Sequence, residues 1–350
     1  MPATLAKAPA APRDFAACSG CSLCLLVCPM WRRHHDPRLT PEGMAKALQC
    51  GATAADLADP VETCSLCGAC DPVCPERIDL SGMVMELRHQ LASALPPPGL
   101  PPMERPALFA ELQARMQQEE RPTGPSQVSL RSDTVFLPGP ALRADPAFLE
   151  RTVALLNLPV FTDDGDDIAL ALELGADIPQ TRLQSFVDSL RGHSIVAADG
   201  LLLRQLRRWL PGSKRMGLGA ALCSRAAVRS NLAATDLYVI EPRACHADYE
   251  RMVIYYNNLQ IEIGCSLSLD LQRIAIPASA PGLRHTLGLA AADDDTQARW
   301  ILRGRTPERI VVEDLADIAA FRRITDIPVV HLAELGGDPT MIRKTARAFN

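Results

Sequence analysis

The sequence has no uninterrupted apolar run of the roughly 20 residues that a membrane-spanning helix needs, which excludes a helical span. It has no cluster of Lys and Arg, and its net charge of −5 is mild, so composition makes no electrostatic case for nucleic acid or for an anionic membrane surface. Residues Met1 to Arg13 are mostly small, are broken by Pro2, Pro9 and Pro12, and lack the apolar stretch of a secretion signal. The expectation is a disordered tail over residues 1–12 on a cytoplasmic chain. Nucleotide fingerprints are scarce too. Gly217-Leu-Gly219 supplies only the first half of Gly-x-Gly-x-x-Gly and shows no clear strand before it, which argues against a flavin or nicotinamide on this chain. No Gly-x-Ser-x-Gly or Walker element occurs. The acidic runs Asp163–Asp167 and Asp293–Asp295 lack the spacing and distal Glu of a calcium loop and read as solvated turns.

What the chain has is cysteine, 12 in 350 residues, eight of them in two copies of one pattern. Cys18, Cys21, Cys24 and Cys28-Pro29 form the first copy; Cys64, Cys67, Cys70 and Cys74-Pro75 form the second. Each reads Cys-x2-Cys-x2-Cys-x3-Cys-Pro, the ligand run of a bacterial ferredoxin with two [4Fe–4S] clusters. Three thiolates at this spacing converge from one tight loop, whereas the fourth crosses to the other cluster. One cluster is therefore expected on Cys18, Cys21, Cys24 and Cys74, and the other on Cys64, Cys67, Cys70 and Cys28. Gly20 and Gly68 would let backbone approach the clusters closely. Zinc sites pair two Cys-x2-Cys knuckles and close at four ligands, so they fit the third and fourth cysteines poorly. Disulfides need an oxidising compartment, to which nothing in the sequence points.

The fold class reads as α+β multidomain: an N-terminal all-α, two-cluster ferredoxin-like domain followed by a duplicated α/β domain. The cluster domain spans residues 13–95. Thr40-Pro41 starts a helix that stops at Gly51, Asp59-Pro60-Val61-Glu62 starts another, and Leu80, Met83, Val84, Leu87 and Leu91 give a third its apolar stripe. Cys50 reads as a small buried apolar residue on a helix's inner face, and His34 and His35 as part of a solvated loop. Residues 96–127 form a proline-rich linker with a short helix near Ala107 to Glu120. Strand-like runs then begin at Thr134, Ser194, Asp236, Arg273, Arg309 and Pro328 and alternate with helices. Ile195–Pro211 and Ile310–Pro328 share a strand, acidic turn, amphipathic helix and proline, which divides residues 128–350 into halves of about 128–225 and 226–350.

With two motifs ahead of a duplicated α/β region, the chain resembles the heterodisulfide reductase iron–sulfur subunits, together with those of glycolate oxidase, anaerobic glycerol-3-phosphate dehydrogenase and lactate-utilisation complexes. The resemblance implies an electron-transfer subunit of a larger oxidoreductase. Its partner would be a flavoprotein or another iron–sulfur redox subunit, and any membrane contact would be peripheral and through that partner. The family's second region carries a Cys-Cys-Gly motif in each half, and some members hold a catalytic cluster there. Here that region is degenerate, with no adjacent Cys pair and only Cys223, Cys245 and Cys265. Those three with His246 are the candidates for an additional metal in the alternative of a catalytic reductase subunit, against the plainer reading of buried packing residues. A redox-sensing or assembly protein is the other alternative.

Overall fold

Capping residues set the helices around the cysteine motifs. In the computed structural model, which describes residues 13–93, 105–117, 133–270, 272–283 and 295–336, the Thr40 hydroxyl accepts the Gly43 N–H at 3.3 Å and Pro41 takes the first helical position. That helix, Pro41–Gln49, ends just before Cys50, so Cys50 stands exposed at its C-terminal cap rather than on an inner face. The next helix begins at Ala58, one residue ahead of Asp59, and runs to Thr63 with Leu57 at its cap; Asp59 falls in the first turn, where a negative charge suits the helix dipole. Leu80–Ser93 buries Leu80, Val84, Leu87 and Leu91, the stripe read from the sequence. His34 closes the helix Pro29–His34 and His35 follows in left-handed backbone; both are exposed, at a helix end rather than in a loop.

Beyond residue 133 helices alternate with two small sheets, both wholly parallel. The first has the order β1-β2-β3, from Thr134–Leu137, Ser194–Ala197 and Arg215–Gly217. The second has the order β5-β4-β6-β7, in which β4 is Asp236–Val239, β5 Ser266–Leu267, β6 Arg309–Val312 and β7 Val329–His331. Val135 pairs with Ile195 and Leu237 with Ile310, apolar residues buried as parallel strands covered on both faces require. Arg273–Ile276 is not a strand: only Ala275 bridges, antiparallel to Leu269. Strand β3 leads into Gly217, so the half fingerprint does follow a strand. A Cβ on Gly219 would lie 2.0 Å from the Glu313 carboxyl carbon, so that glycine makes room for a buried carboxylate.

The acidic run Asp163–Asp167 is also different from a solvated turn. Asp163, Asp164 and Asp167 are buried; Arg182 bridges Asp163 and Asp167 at 2.7 and 2.8 Å, and Arg143 holds Asp164 at 2.6 Å. Of the second run, Asp293 and Asp294 lie outside the described residues, as do the tail 1–12 and the proline-rich stretch 94–104. The helix after that stretch is Arg105–Met116.

Packing runs continuously from the cysteine region into the rest of the molecule. Leu201 lies in one core with Val61, Leu66, Val84 and Leu87; Ile274 joins Val27, Cys67 and Ala69; Ala280 joins Cys28 and Met30. Among the described residues no helix is long and apolar enough to cross a membrane.

Candidate metal centres

The two motif loops share a backbone device. Gly20 and Ser22 flank Cys21 with φ of 78° and 62°; Leu66 and Gly68 flank Cys67 with φ of 50° and 74°. Two left-handed residues at equivalent places curl each loop so that its three cysteines turn inward. For Ser22 and Leu66 that conformation costs about 1–2 kcal/mol each. In the first copy the loop is held near the surface, where Lys46 Nζ donates to the Cys18 carbonyl at 2.7 Å and Gln49 Nε2 donates to it at 3.0 Å.

Three residues of each motif stay together and the fourth does not. Cys18, Cys21, Cys24 and Cys74 line one recess, beside Glu42, Ile78 and Leu80. Cys28, Cys64, Cys67 and Cys70 line another, beside Leu66, Gly68 and Ser81. The first recess reaches the surface at Cys21, which is exposed, whereas Cys28 and Cys67 in the second are buried.

Burial pushes the free thiol of Cys24 up to about 12, with help from the charge of Glu42, and likewise that of Cys28 to about 12 with help from Cys64. Cys64 is pushed to about 11 by burial, with Arg88 opposing, and burial raises Cys70 well above its ordinary value. Such sulfurs are stable as neutral thiols or as thiolates bonded to metal, because a bare thiolate there would lack compensation. One hydrogen bond to sulfur is in place for the second possibility: the Leu66 N–H lies 3.4 Å from Cys64 Sγ. Eight cysteines in two groups of four thus suit two iron–sulfur clusters. A single zinc would need four sulfurs about 2.3 Å from one point; among the described residues no three His, Cys, Asp or Glu side chains converge on an ion in that way.

The second loop is gripped by residues that the motif does not announce. Arg88, fully buried, donates to the Cys64 carbonyl at 2.5 Å and to the Glu173 carboxylate at 3.0 Å. Arg243 donates to the Ser65 carbonyl at 2.6 Å and pairs with the other Glu173 oxygen at 2.8 Å. Burial alone would push the Glu173 carboxyl up, yet Arg243 and Arg88 hold it below its ordinary value, so it stays ionised between them. His246 Nδ1 lies 2.7 Å from the Cys67 carbonyl, and its Nε2 accepts the Ala275 N–H at 3.2 Å. That second bond fixes the proton on Nδ1, and burial, pushing the imidazole down to about 4, keeps the ring neutral. Gly68 permits the approach, since a Cβ there would sit 3.2 Å from His246 Cβ. Three carbonyls of one loop therefore accept from Arg88, Arg243 and His246, and the last two donors come from the helix Pro242–Ala247. The isolated polar residues of that helix carried no sequence signal beyond the Cys245-His246 pair.

His246 is thus spoken for, and the other candidates for an additional metal face elsewhere. Cys223, Cys245 and Cys265 are buried in one apolar core, where the nearby Tyr238 and Tyr255 hydroxyls donate to Glu313 and to the Ala220 carbonyl. They pack there as small apolar side chains do.

Comparison with known proteins decides the chemistry of the motif region. A 4Fe-4S dicluster domain family matches residues 14–78, which contain all eight motif cysteines. The chain is an iron–sulfur protein. No curated protein and no solved structure matches it. The match covers the cysteine region of the iron–sulfur protein and stops before the sheets.

Proposed function

We propose that this iron–sulfur protein is an electron-transferring subunit of a larger oxidoreductase and holds two [4Fe–4S] clusters, one on Cys18, Cys21, Cys24 and Cys74, the other on Cys64, Cys67, Cys70 and Cys28. The observation that carries this reading is the exchange of fourth cysteines, with Cys74 beside the first trio and Cys28 beside the second. Clusters of this type exchange single electrons. The chain's own residues set access and environment. Cys21 is exposed, which opens the first set to a docking flavoprotein or iron–sulfur subunit. The second set lies inside, under the charges of Arg88 and Arg243.

Kinship with the heterodisulfide reductase type of subunit belongs to the same proposal, with a cluster domain over 13–95, a linker over 96–127 and two similar halves beyond it. The sheets favour duplication: β1-β2-β3 corresponds to β4-β6-β7, and a single parallel bridge from Phe136 to Val160 takes the edge place that β5 holds in the second sheet. Iron analysis and redox spectroscopy of protein purified without oxygen test the reading. About eight irons per chain and visible absorption that bleaches on dithionite addition are expected; about four irons, or tightly bound zinc without colour, would refute it.

A further inference from the structure

The carboxyl ends of both sheets open into one cavity of about 380 Å³. Pro138 and Gly139 after β1, Asp199 after β2, Glu241 after β4, Glu313 after β6 and His331 of β7 line it. Ser65 and Cys67 of the gripped loop close the third side. The carboxyl ends of parallel strands are where open α/β sheets place their ligands, and the volume lies in the range of small-molecule sites. Of the motif cysteines Cys67 borders this space, and the electron-transfer reading does not use it.

Its chemistry is lopsided. Seven carboxyl side chains line it against two guanidinium groups, and both arginines are already engaged: Arg115 with Asp166 at 2.5 Å, and Arg243 with Glu173 and the Ser65 carbonyl. The carboxylates are built in rather than loose on a surface. Glu313 accepts from the Tyr238 and Tyr256 hydroxyls at 2.6 and 2.7 Å and from the Glu241 N–H at 2.9 Å. Glu241, Asp199 and Asp314 each cap a helix start by accepting backbone N–H groups. Those helix ends offset part of the negative charge. Burial first, and the neighbouring Asp314 second, push the Glu241 carboxyl up to about 8, so a cation beside it is what would bring out its charged form. Among the described lining residues an anion would meet carboxylates and no arginine that is not already engaged. A positive charge would supply what the lining lacks. A bare metal ion suits it poorly, since among the described residues no three ligating side chains converge on a point, and Pro138, Pro140, Leu142, Leu170 and Leu218 give the cavity apolar walls.

We propose that the cavity between the two sheets binds a small organic amine, its ammonium group toward Glu241 and Glu313 and its apolar body along the proline and leucine walls. The site adjoins the Cys64–Cys67 loop through Arg243, so an occupant would be felt there as well.

Titration calorimetry on the full-length, oxygen-free protein with three six-carbon probes tests this. Hexylamine, hexanol and hexanoate share a body and differ in charge. Hexylamine is expected to bind at least about tenfold more tightly than hexanol, and hexanoate more weakly than either, tenfold being the consequence of one modest charge interaction. Glu241→Gln should weaken hexylamine about tenfold and leave hexanol unchanged, which separates this site from general attraction of a cation to an acidic protein. Hexanoate binding as well as hexylamine, equal hexylamine affinity in wild type and Glu241→Gln, or no heat from any probe at millimolar concentration would overturn the proposal. Because the wild-type series stands alone, a misfolded variant leaves the charge test intact; because iron is counted separately on the same sample, absent or charge-blind binding by protein with about eight irons would overturn this proposal and leave the electron-transfer reading standing.

Discussion

Replacing Arg243 by Met keeps the apolar stem and removes the guanidinium, which separates the grip on the second loop from packing. Two contacts are lost, the 2.6 Å bond to the Ser65 carbonyl and the 2.8 Å pair with Glu173. A hydrogen bond from a charged donor is worth about 1.5–3 kcal/mol. Orphaning a buried carboxylate costs about 3–5 kcal/mol, but Glu173 keeps Arg88 at 3.0 Å, so only a fraction of that applies. The sum is a loss of about 2–4 kcal/mol. Denaturant unfolding under anaerobic conditions reads it, and electron paramagnetic resonance of the reduced protein reports where the damage falls. The signal of the cluster assigned to Cys28, Cys64, Cys67 and Cys70 should change or fade. That of the other set should persist, since its loop hangs on Lys46 and Gln49. A stability change below about 0.5 kcal/mol, the level of an ordinary surface substitution, or damage confined to the first set, would refute the reasoning.

Three further outcomes are expected. Cys28→Ser should disturb the cluster of Cys64, Cys67 and Cys70 although Cys28 is nearer in sequence to the other trio; loss of the Cys18, Cys21 and Cys24 signal instead would disprove the exchange. A chain ending after Ser93 should keep the first cluster and lose the second, since Glu173, Arg243 and His246 lie beyond that point, and full iron content in such a fragment would show that the grip is dispensable. Burial lowers His331 to about 4, from an unfolded value near 6.5. The fold therefore favours the neutral ring, and its contribution is complete above pH 6.5 and is lost as pH falls toward 4, by about 3 kcal/mol. Glu313, raised to about 6 chiefly by burial, titrates with the opposite sign in the same range but does so with or without His331. The difference between wild type and His331→Gln should accordingly shrink on acidification, and a constant difference from pH 7 to 4 would contradict the assignment.

The legible parts of this chain were those with short-range causes. Motif spacing marked the eight cysteines, Thr40-Pro41 marked a helix start, and the apolar runs at Thr134, Ser194, Asp236 and Arg309 marked strands. Where a neighbour distant in sequence decides, reading failed in both directions. The run Asp163–Asp167 has the composition of a solvated turn, and only Arg182 and Arg143, 15 or more positions on or 21 back, make it a buried ion network. Strands Arg215–Gly217 and Ser266–Leu267 are too short to show a period and exist because β2 and β4 offer them edges. Arg273–Ile276 has the apolar character of a strand and no parallel edge to join. At the candidate site the thiols were visible and the grip was not, because Arg88, Arg243 and His246 act on backbone carbonyls, and a carbonyl leaves no trace in a sequence.

That division has a functional consequence. The two motifs impose the same loop, with left-handed residues at Gly20 and Ser22 and again at Leu66 and Gly68, so local sequence makes the two sets alike. Tertiary structure makes them different. The first set reaches solvent at Cys21 and has Glu42 beside Cys24; the second is interior, with Arg88 and Arg243 at its loop. Adding an electron adds negative charge, which nearby cations favour and nearby carboxylates oppose, most strongly where water is excluded. Glu173 stands between Arg88 and Arg243, and Asp71 beside Cys70 is paired with Arg204 at 2.6 Å, so three guanidinium groups face two carboxylates at the second set, whereas at the first Lys46 stands against Glu42. The cluster on the Cys28, Cys64, Cys67 and Cys70 set should therefore have the higher potential, and electrons arriving over Cys21 should run inward. Potentiometric titration followed by electron paramagnetic resonance resolves the two signals. Equal potentials, or reduction of the outer set first, would mean that solvent exposure outweighs the buried arginines.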